Sequence, residues 1–316
     1  MKINQMPAIT WGRLNVNEAT IDDIEFSNLL HPAETVPAGI DTEDFEEGRR
    51  YIFHTSQEVP LRLDIGIGDK SNTKIDIAVE EGMSAFVIEN ISAAEEGTGL
   101  IETSYSVASN ASLKFVQIVR TGKDAKAVNR INGNVAEDAK VSVIQIFTGS
   151  KANYTELKSD LDGNRSQLTA DIGYIVDTDD LLDMNYVITH KGIASESLLT
   201  IDGVLYEGAS KTFRGTIDLK HGCAGAKGTE NENVLLIGNT MVNKTVPVIL
   251  CDEEDVEGNH GATIGKLDED LVFYLESRGI ERDRINELMA DARIRRVASL
   301  IGDEETVKTI LDEEQE

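Results

Sequence analysis

The feature that most constrains the fold of this chain is a repeat of about 28 residues. A small residue followed by alternating apolar residues recurs along the middle of the sequence, with starts at residues 84, 111, 139, 166, 195 and 224. Successive starts are 27, 28, 27, 29 and 29 residues apart. A nearly constant period of this length is typical of a solenoid, in which one coil buries its apolar face only by stacking on its neighbours.

Most repeats also contain a second strand-like run, separated from the first by Gly, Asn or Asp turn residues. These second runs cover residues 101–105, 128–131, 154–157 and 186–189. Apolar residues alternate strictly in the earlier stretch 61–67, with the period of two that strands require. A β-sandwich would also give many short strands, but it has no reason to keep a constant spacing. We therefore predict a mainly β protein whose core is a parallel β-helix.

The pattern changes on either side of the repeats. Residues 1–50 are irregular, and a weak apolar spacing over residues 17–24 predicts short helical turns there. After residue 267 the apolar residues fall at helical spacing. We therefore predict an irregular or short helical N-terminal segment over 1–50, a parallel β-helix core over 51–267, and a C-terminal helical subdomain over 268–316.

The helical end is predicted to contain two main helices. Gly279 is a natural stop for the first. The second is expected to run from about Glu281 to Ile301, with its apolar stripe at Ile285, Leu288, Met289, Ala292, Val297 and Leu300. A short acidic helix or tail follows.

Charge and cysteine content restrict the partners and the compartment. The chain has 30 basic and 57 acidic residues, a formal net charge of −27, so phosphate backbones repel it and no nucleic-acid partner is expected. Such acidity can also serve only to keep the protein soluble, or be an adaptation to a salty cell interior. No run of eighteen apolar residues is present, so we expect no membrane span, and the N-terminus has no secretory pattern. With only two cysteines, we expect a cytoplasmic protein.

Five motifs occur in order over the last third of the chain. The first contains the tripeptide Phe213-Arg214-Gly215, and the others include Leu-Leu-Ile-Gly, Thr-Val-Pro, His-Gly-Ala-Thr and Ser-Arg-Gly-Ile. The motifs cover residues 211–217, 233–238, 245–247, 260–269 and 273–280. Together they resemble the SufB/SufD family, the scaffold subunits of the SUF system for iron–sulfur cluster assembly. The resemblance covers the repeats before residue 211 more loosely.

The resemblance implies a fold, partners and a cofactor. Family members form a parallel β-helix, pair with a second SufB/SufD-type subunit as a homodimer or heterodimer, and assemble a transient iron–sulfur cluster at that interface. Their C-terminal helices bind SufC, an ABC-type ATPase, and here that contact is expected at Phe273, Tyr274, Arg278 and Leu288. This chain has no phosphate-binding loop of the Walker type, so we expect a non-enzymatic scaffold and adaptor. The resemblance leaves the cluster type and any flavin open.

The ligand motif departs from one branch of the family. SufB-type members carry a cysteine where this chain has Glu232, and a glutamate where it has Gly261. SufD-type members have histidine followed by glycine, as in His260-Gly261. The motif is therefore SufD-like, and the chain could equally be the single scaffold of a minimal SUF system that pairs with itself.

Three residues are candidate iron ligands. His260 lies in the matched motif, and a neutral imidazole binds iron well. Cys251 offers a thiolate but ends an apolar run, so it also fits a small buried hydrophobic residue. Glu232 offers a carboxylate, although surface glutamates are common in so acidic a chain. His221 and Cys223 form a fourth, weaker candidate pair by their spacing.

Two other functions compete with the scaffold. A purely structural SufD-like partner would carry no cluster ligand, and the glutamate at position 232 favours it. Parallel β-helices also include carbohydrate-active enzymes, but these need paired carboxylates across stacked coils. Acidic residues do not recur at the 28-residue step here, which disfavours an enzyme.

Overall fold

Two parallel sheets face each other across a narrow interior and form a β-helix of about eight turns. The structure, a computed structural model, describes residues 1–10, 12–93, 96–122, 124–149 and 151–312. The prediction of a mainly β chain built as a parallel β-helix with a helical C-terminal end is confirmed.

The secondary structure of the described residues is as follows. The strands are β1 (Lys2–Ile3), β2 (Ala19–Thr20), β3 (Asn28–Leu29), β4 (Ala33–Thr35), β5 (Ile40–Phe45), β6 (Gly48–Phe53), β7 (Leu61–Gly66), β8 (Ser71–Val79), β9 (Ser84–Ala93), β10 (Glu96–Val107), β11 (Ser112–Thr121), β12 (Asp124–Val135), β13 (Lys140–Thr148), β14 (Ala152–Leu161), β15 (Gln167–Val176), β16 (Leu181–His190), β17 (Glu196–Leu205), β18 (Ser210–Leu219), β19 (Lys227–Leu236), β20 (Val242–Cys251) and β21 (Glu257–Gly265). The helices are a 3₁₀ turn (Gly12–Leu14), α1 (Glu269–Glu276), α2 (Arg282–Ala298) and α3 (Glu304–Asp312).

From β6 onward, even-numbered and odd-numbered strands build separate sheets. Sheet 1 runs β20-β18-β16-β14-β12-β10-β8-β6-β5, and sheet 2 runs β21-β19-β17-β15-β13-β11-β9-β7-β4. Neighbours are parallel except at the N-terminal end, where β5 and β4 pair antiparallel with β6 and β7. Each coil therefore contributes one strand to each sheet, and the chain advances by one coil about every 28 residues.

The repeat identified in the sequence is the coil of the solenoid. The amide of Lys140 donates to the carbonyl of Ala111, and the amide of Gln167 donates to the carbonyl of Ala139, each at 2.9 Å. The amide of Glu196 donates to Ser166 in the same way. These bonds place Ala111, Ala139 and Ser166 one above another in adjacent coils, as predicted.

Two of the predicted repeat starts are displaced. The amide of Ser112 donates to the carbonyl of Met83, so Met83 stacks beneath Ala111, one residue before the expected start. At the other end Ala226, not Ala224, continues the column above Ser195, because the amide of Lys227 donates to the carbonyl of Ser195. The turn after β18 contains small residues at both 224 and 226, so the composition of that turn alone could not fix the register.

Inside the solenoid, one column of stacked positions is polar. Gln117 lies between Glu89 and Gln145 in the strand register. Its Nε2 donates to Glu89 Oε2 at 2.8 Å, and its Oε1 accepts from Gln145 Nε2 at 2.8 Å. Thr103 Oγ1 donates to the other Glu89 oxygen at 2.8 Å, and Tyr186 donates to Gln145 Oε1 at 2.5 Å. Burial raises the pKa of Glu89 to about 7, although the bonds from Gln117 and Thr103 oppose that shift.

The N-terminal segment lies along the outer face of sheet 1. Ile3 and Ala19 pack with Leu100 and Val128 of that face. Near the other end of the sheet, Met6 and Val16 pack on Val246, and Val248 lies against them. The helical turns predicted over residues 17–24 are wrong, because Ala19–Thr20 forms β2 and pairs with β1. Pairing with β1 and packing of Ala19 against sheet 1 decide the conformation here.

A buried arginine fastens this N-terminal segment. Arg214 projects from β18 onto the outer face and is 1% exposed. Its two terminal nitrogens donate to the carboxylate of Asp183 at 2.6 and 3.1 Å, and its Nε donates to the carbonyl of Val16. Asn4 Nδ2 also donates to Asp183 Oδ1 at 2.6 Å. The arginine of the Phe-Arg-Gly motif thus joins the segment to the β-helix.

The C-terminal helices lie on the outer face of sheet 2. Ile294 and Val297 of α2 pack with Val116 and Ile144, and Arg293 and Arg296 pair with Asp202. The helices begin and end close to the predicted residues.

The predicted apolar stripe of α2 is partly wrong. The buried residues of α2 are Ile285, Ala290, Ile294, Val297 and Ala298, whereas Leu288 and Leu300 are exposed. The side of α2 that carries Ala290 and Ile294 contacts the sheet. Apolar and polar residues are not well separated around this helix, so the sequence does not reveal which side is buried.

The polar column predicts a pH dependence of stability. Folded Glu89 keeps its proton up to about pH 7, whereas the unfolded group releases it near its ordinary value of 4.5. As the pH rises from 4.5 to 7, the free energy of unfolding should therefore fall. The loss from this group is at most on the order of 3 kcal/mol. Glu89→Gln should remove that part of the slope, as measured by urea unfolding at pH 5 and pH 8. An unchanged slope would show that Glu89 does not titrate in this window.

Candidate functional site

The C-terminal end of the solenoid is open. The last coil consists of β20 and β21, and no strand in the described part of the chain pairs with their outer edges. The last apolar runs in the sequence, residues 234–237 and 246–251, predict the terminal strands of the solenoid. The first of these predictions is wrong, because β21 pairs with β19. The segment of β21 is rich in glycine and polar residues, so it carries little of the alternating apolar signal of a strand.

His260 lines the mouth of the solenoid interior. It is the register partner of Glu230, which points inward from β19, and register partners share a face of a sheet. The glycines on either side support this orientation. A Cβ on Gly258 would lie 3.1 Å from Ile249 across the interior, whereas a Cβ on Gly261 would face outward to Asn231. His260 is exposed because no coil covers it.

Cys251 occupies the same layer on the opposite sheet. It stacks on Leu219 at the end of β20 and is exposed, and its Sγ contacts the carbonyl oxygen of Glu253 at 3.1 Å. Cys223 instead is fully buried with Ile217 and Leu219. Burial raises the pKa of the Cys223 thiol, and this residue packs as a small hydrophobic side chain.

Glu232 lies one coil inside the mouth and is fully buried. Lys211 reaches it across the interior and forms a buried ion pair with one carboxylate oxygen. Thr245 donates to the other oxygen at 2.6 Å and accepts from Lys211 Nζ at 3.1 Å. Burial lowers the pKa of Lys211, and the carboxylate of Glu232 opposes that shift. Both oxygens of Glu232 are thus committed to protein groups.

Glu230 is a second buried carboxylate in this coil. It is 2% exposed and points across the interior at Gly215, where a Cβ would lie only 1.8 Å from its Oε2. The glycine of the Phe-Arg-Gly motif therefore makes room for this carboxylate. Burial and the neighbouring Glu232 raise the pKa of Glu230 to about 7, and Lys211 opposes the shift.

The structure places two of the three predicted ligands in the last coil. His260 and Cys251 share the exposed last coil, and Glu232 belongs to the coil beneath. Among the described residues, no group of three or more His, Cys, Asp or Glu side chains is placed to hold a metal ion. His221 is exposed, with Nδ1 3.7 Å from Glu253, and Cys223 is buried, so this pair does not face a common site.

Sequence reasoning missed Lys211 and Glu230. A signal for both was present, because Lys211 alternates in phase with the inward Phe213, and Glu230 and Glu232 alternate in phase with the inward Val234. Period-two phase assigns all five to the interior. Charged side chains in an apolar phase are the unusual feature that marks this end of the solenoid.

A second exposed surface is the helical patch of α1 and α2, formed by Phe273, Tyr274, Arg278 and Leu288. Phe273 is 72% exposed, and Tyr274 and Leu288 are also exposed. The guanidinium of Arg278 lies 4.9 Å from the ring centroid of Tyr274. Exposed aromatic and arginine side chains are typical of protein-binding surfaces.

The architecture and the sequence comparisons together assign the family. The fold is a parallel β-helix covered on its outer faces by both chain ends, with a histidine at its open mouth. The sequence model of one protein family, described as "SUF system FeS cluster assembly, SufBD core domain", matches residues 66–293, which is more than half of the chain. The chain belongs to this family. None of the helices in the described ranges is long and apolar enough to cross a bilayer.

Individual relatives agree with this assignment. The chain is 25% identical to the iron–sulfur cluster assembly protein SufD of Escherichia coli over 304 residues, 92% of this chain and 69% of that protein. It is 33% identical to SufD of Bacillus subtilis over 102 residues, 32% of this chain and 23% of that protein. A chloroplastic SufBD family protein of Arabidopsis thaliana is 26% identical over 166 residues, 52% of this chain and 30% of that protein.

The buried pair predicts a large effect of its disruption. Lys211→Met would leave Glu232 charged without its partner, so we expect a loss of about 3–5 kcal/mol in the free energy of unfolding. Lys211→Met with Glu232→Leu should recover most of this loss, as measured by urea denaturation. Lys227→Met, which removes an exposed ion pair with Glu257, is the control and should change little. Equal effects of the two lysine variants would contradict a structural role for the buried pair.

Proposed function

We propose that this chain is a cytoplasmic scaffold subunit for iron–sulfur cluster assembly, which pairs with a second SufB/SufD-type subunit through its open end. The observation that carries the proposal is His260 at an unpaired solenoid mouth, within a chain of the SufBD family. The His-Gly sequence favours a SufD-like role, and the second subunit is either a SufB-type partner or another copy of this chain. An exposed thiol at Cys251 fits a reducing compartment.

The two ends of the solenoid differ in a way that supports pairing at the C-terminal end. At the N-terminal end the edge strand β5 runs antiparallel and carries Asp41, Glu43 and Asp44, which discourage further strand addition. The edges of β20 and β21 carry few charges and expose the apolar Ile249 and Ile264. A subunit related by a two-fold axis would cover both edges at once.

Pairing would bring ligands from two chains to one interface. His260 supplies an imidazole and Cys251 a thiolate at the mouth. A second copy of this chain would supply the same two groups, and a SufB-type partner would supply ligands of its own. The cluster is the cargo of the scaffold. Glu232 already serves Lys211 and Thr245, so in this proposal it stabilises the coil beneath the ligands and does not bind iron.

The helical patch is proposed to bind a SufC-type ABC ATPase. Phe273, Tyr274 and Leu288 offer apolar surface that the β-helix does not use, and Arg278 is preorganised by its contact with Tyr274. ATP hydrolysis then belongs to the partner, and this chain transmits the resulting motion to the paired mouths as an adaptor.

Cluster ligation is tested by anaerobic reconstitution of the protein with iron and sulfide. His260→Ala should lose most of the cluster absorption and iron content, because the mouth would lack its imidazole. Cys251→Ser should show the same loss, since the thiol is exposed and packs little. His221→Ala, which removes another exposed histidine outside the interior, should leave the cluster intact.

Size-exclusion chromatography should show that the His260 and Cys251 variants still pair and still bind the ATPase. A normal cluster in His260→Ala would show that another residue holds the iron. A wild-type protein that pairs but never acquires a cluster would favour the purely structural SufD-like partner.

The ATPase contact is tested by point substitution. Removing residues 268–316 would uncover the apolar outer face of sheet 2 that α2 buries, so a truncation would confuse binding with folding. Phe273→Asp should instead weaken binding of the SufC-type ATPase at least tenfold, about 1.4 kcal/mol, by calorimetry. Val59→Asp, at a similarly exposed apolar residue far along the chain, is the control. Equal affinities of the two variants would place the contact elsewhere.

A further inference from the structure

The coil beneath the mouth contains two inward carboxyl groups but only one inward lysine. Glu230 and Glu232 both point inward and are buried, and Lys211 is bonded to Glu232 alone. In the part of the chain that the structure describes, the Glu230 carboxylate accepts no hydrogen bond. A buried carboxylate without a partner is costly, and proteins keep such a group where a cation or a proton can reach it.

The position of Glu230 gives it access to the mouth. It lies directly beneath His260 in the ladder, and neighbouring strands are only about 4.8 Å apart. Its carboxylate occupies the space that Gly215 leaves open, and Pro247 stacks on that glycine in the last coil. Glu230 and His260 are therefore stacked neighbours on the inward face of β19 and β21, at the open end of the solenoid.

We propose that Glu230 and His260 together form half of a site for a divalent cation of the ferrous class. A carboxylate oxygen and an imidazole nitrogen are ligands that ferrous iron accepts, and a bound cation would neutralise the charge that Lys211 leaves uncompensated. The chain provides only these two ligands at this point, in agreement with the absence of a three-ligand group among the described residues. Water or the facing subunit completes the coordination.

This inference deepens the proposed function, on which it rests for the facing subunit. The Glu230 carboxylate and the His260 imidazole would bind iron at the mouth before sulfide arrives. Cys251, across the interior in the same layer, then supplies a soft ligand when the cluster forms. Iron loading and cluster formation would thus depend on different residues.

The test is anaerobic calorimetric titration of the full-length protein with ferrous iron alone, without sulfide. Glu230→Gln keeps the shape of the side chain and removes its charge, so the variant should fold, and its affinity for iron should fall at least tenfold. His260→Ala should show a similar loss. Glu257→Gln is the matched control, because it removes one carboxylate from the adjacent last coil, where Glu257 is exposed and paired with Lys227. It should bind iron like the wild type.

The outcomes separate this inference from the proposed function. Wild-type iron affinity in Glu230→Gln would overturn the inference, and so would equal losses in Glu230→Gln and Glu257→Gln, which would indicate a general effect of charge. Neither result depends on cluster formation. Conversely, a protein that binds iron through Glu230 and His260 but forms no cluster with sulfide would support this site while contradicting the scaffold function.

Discussion

The whole architecture depends on the parallel hydrogen-bond ladder between successive coils. Each strand pairs with the strand one coil earlier and one coil later, so every backbone group inside a sheet finds its partner at a distance of about 28 residues. Constant coil length then stacks like positions into columns, which is why small residues recur at one corner and polar residues recur in the Glu89 column. The same ladder has an unavoidable consequence, since a stack of coils must end. At its ends the groups that would bond the next coil lack partners, and the protein treats its two ends differently.

The N-terminal segment and the C-terminal helices cover the sides of the solenoid, while the outer strand edges of its last coil stay unpaired in the described part of the chain. The N-terminal segment covers sheet 1 through Arg214, and α2 covers sheet 2 through its apolar face and Asp202. The N-terminal end is closed by antiparallel, acidic strands. The strand edges at the C-terminal end are unpaired in the described part of the chain and carry few charges, and His260, Cys251, Glu230 and Glu232 lie in its last two coils. Unpaired strand edges promote aggregation in an isolated chain. Here such edges lie where a second subunit can cover them.

The Phe-Arg-Gly motif illustrates how one short strand serves three purposes. Phe213 points into the interior, where its ring lies 5.9 Å from that of Tyr186. Arg214 points outward and fastens the N-terminal segment. Gly215 points inward again and leaves space for the Glu230 carboxylate. Because neighbouring residues of a strand face opposite sides, three consecutive residues can contact the interior core, the N-terminal segment on the outer face and the Glu230 carboxylate beneath the mouth.

By itself, the sequence determined the features that follow from local periodicity. The coil length, the second strand of each coil, the helical end and the motif around His260 were all legible, because hydrophobic alternation and helical spacing are properties of neighbouring residues. Tertiary structure decided what depends on the register between distant strands. It displaced the repeat starts at 84 and 224, turned residues 19–20 into a strand, and rotated α2 so that Leu288 is exposed. It also buried Glu232 against Lys211 and placed Glu230 beneath His260, pairs that are 21 and 30 residues apart and meet only because the coils stack.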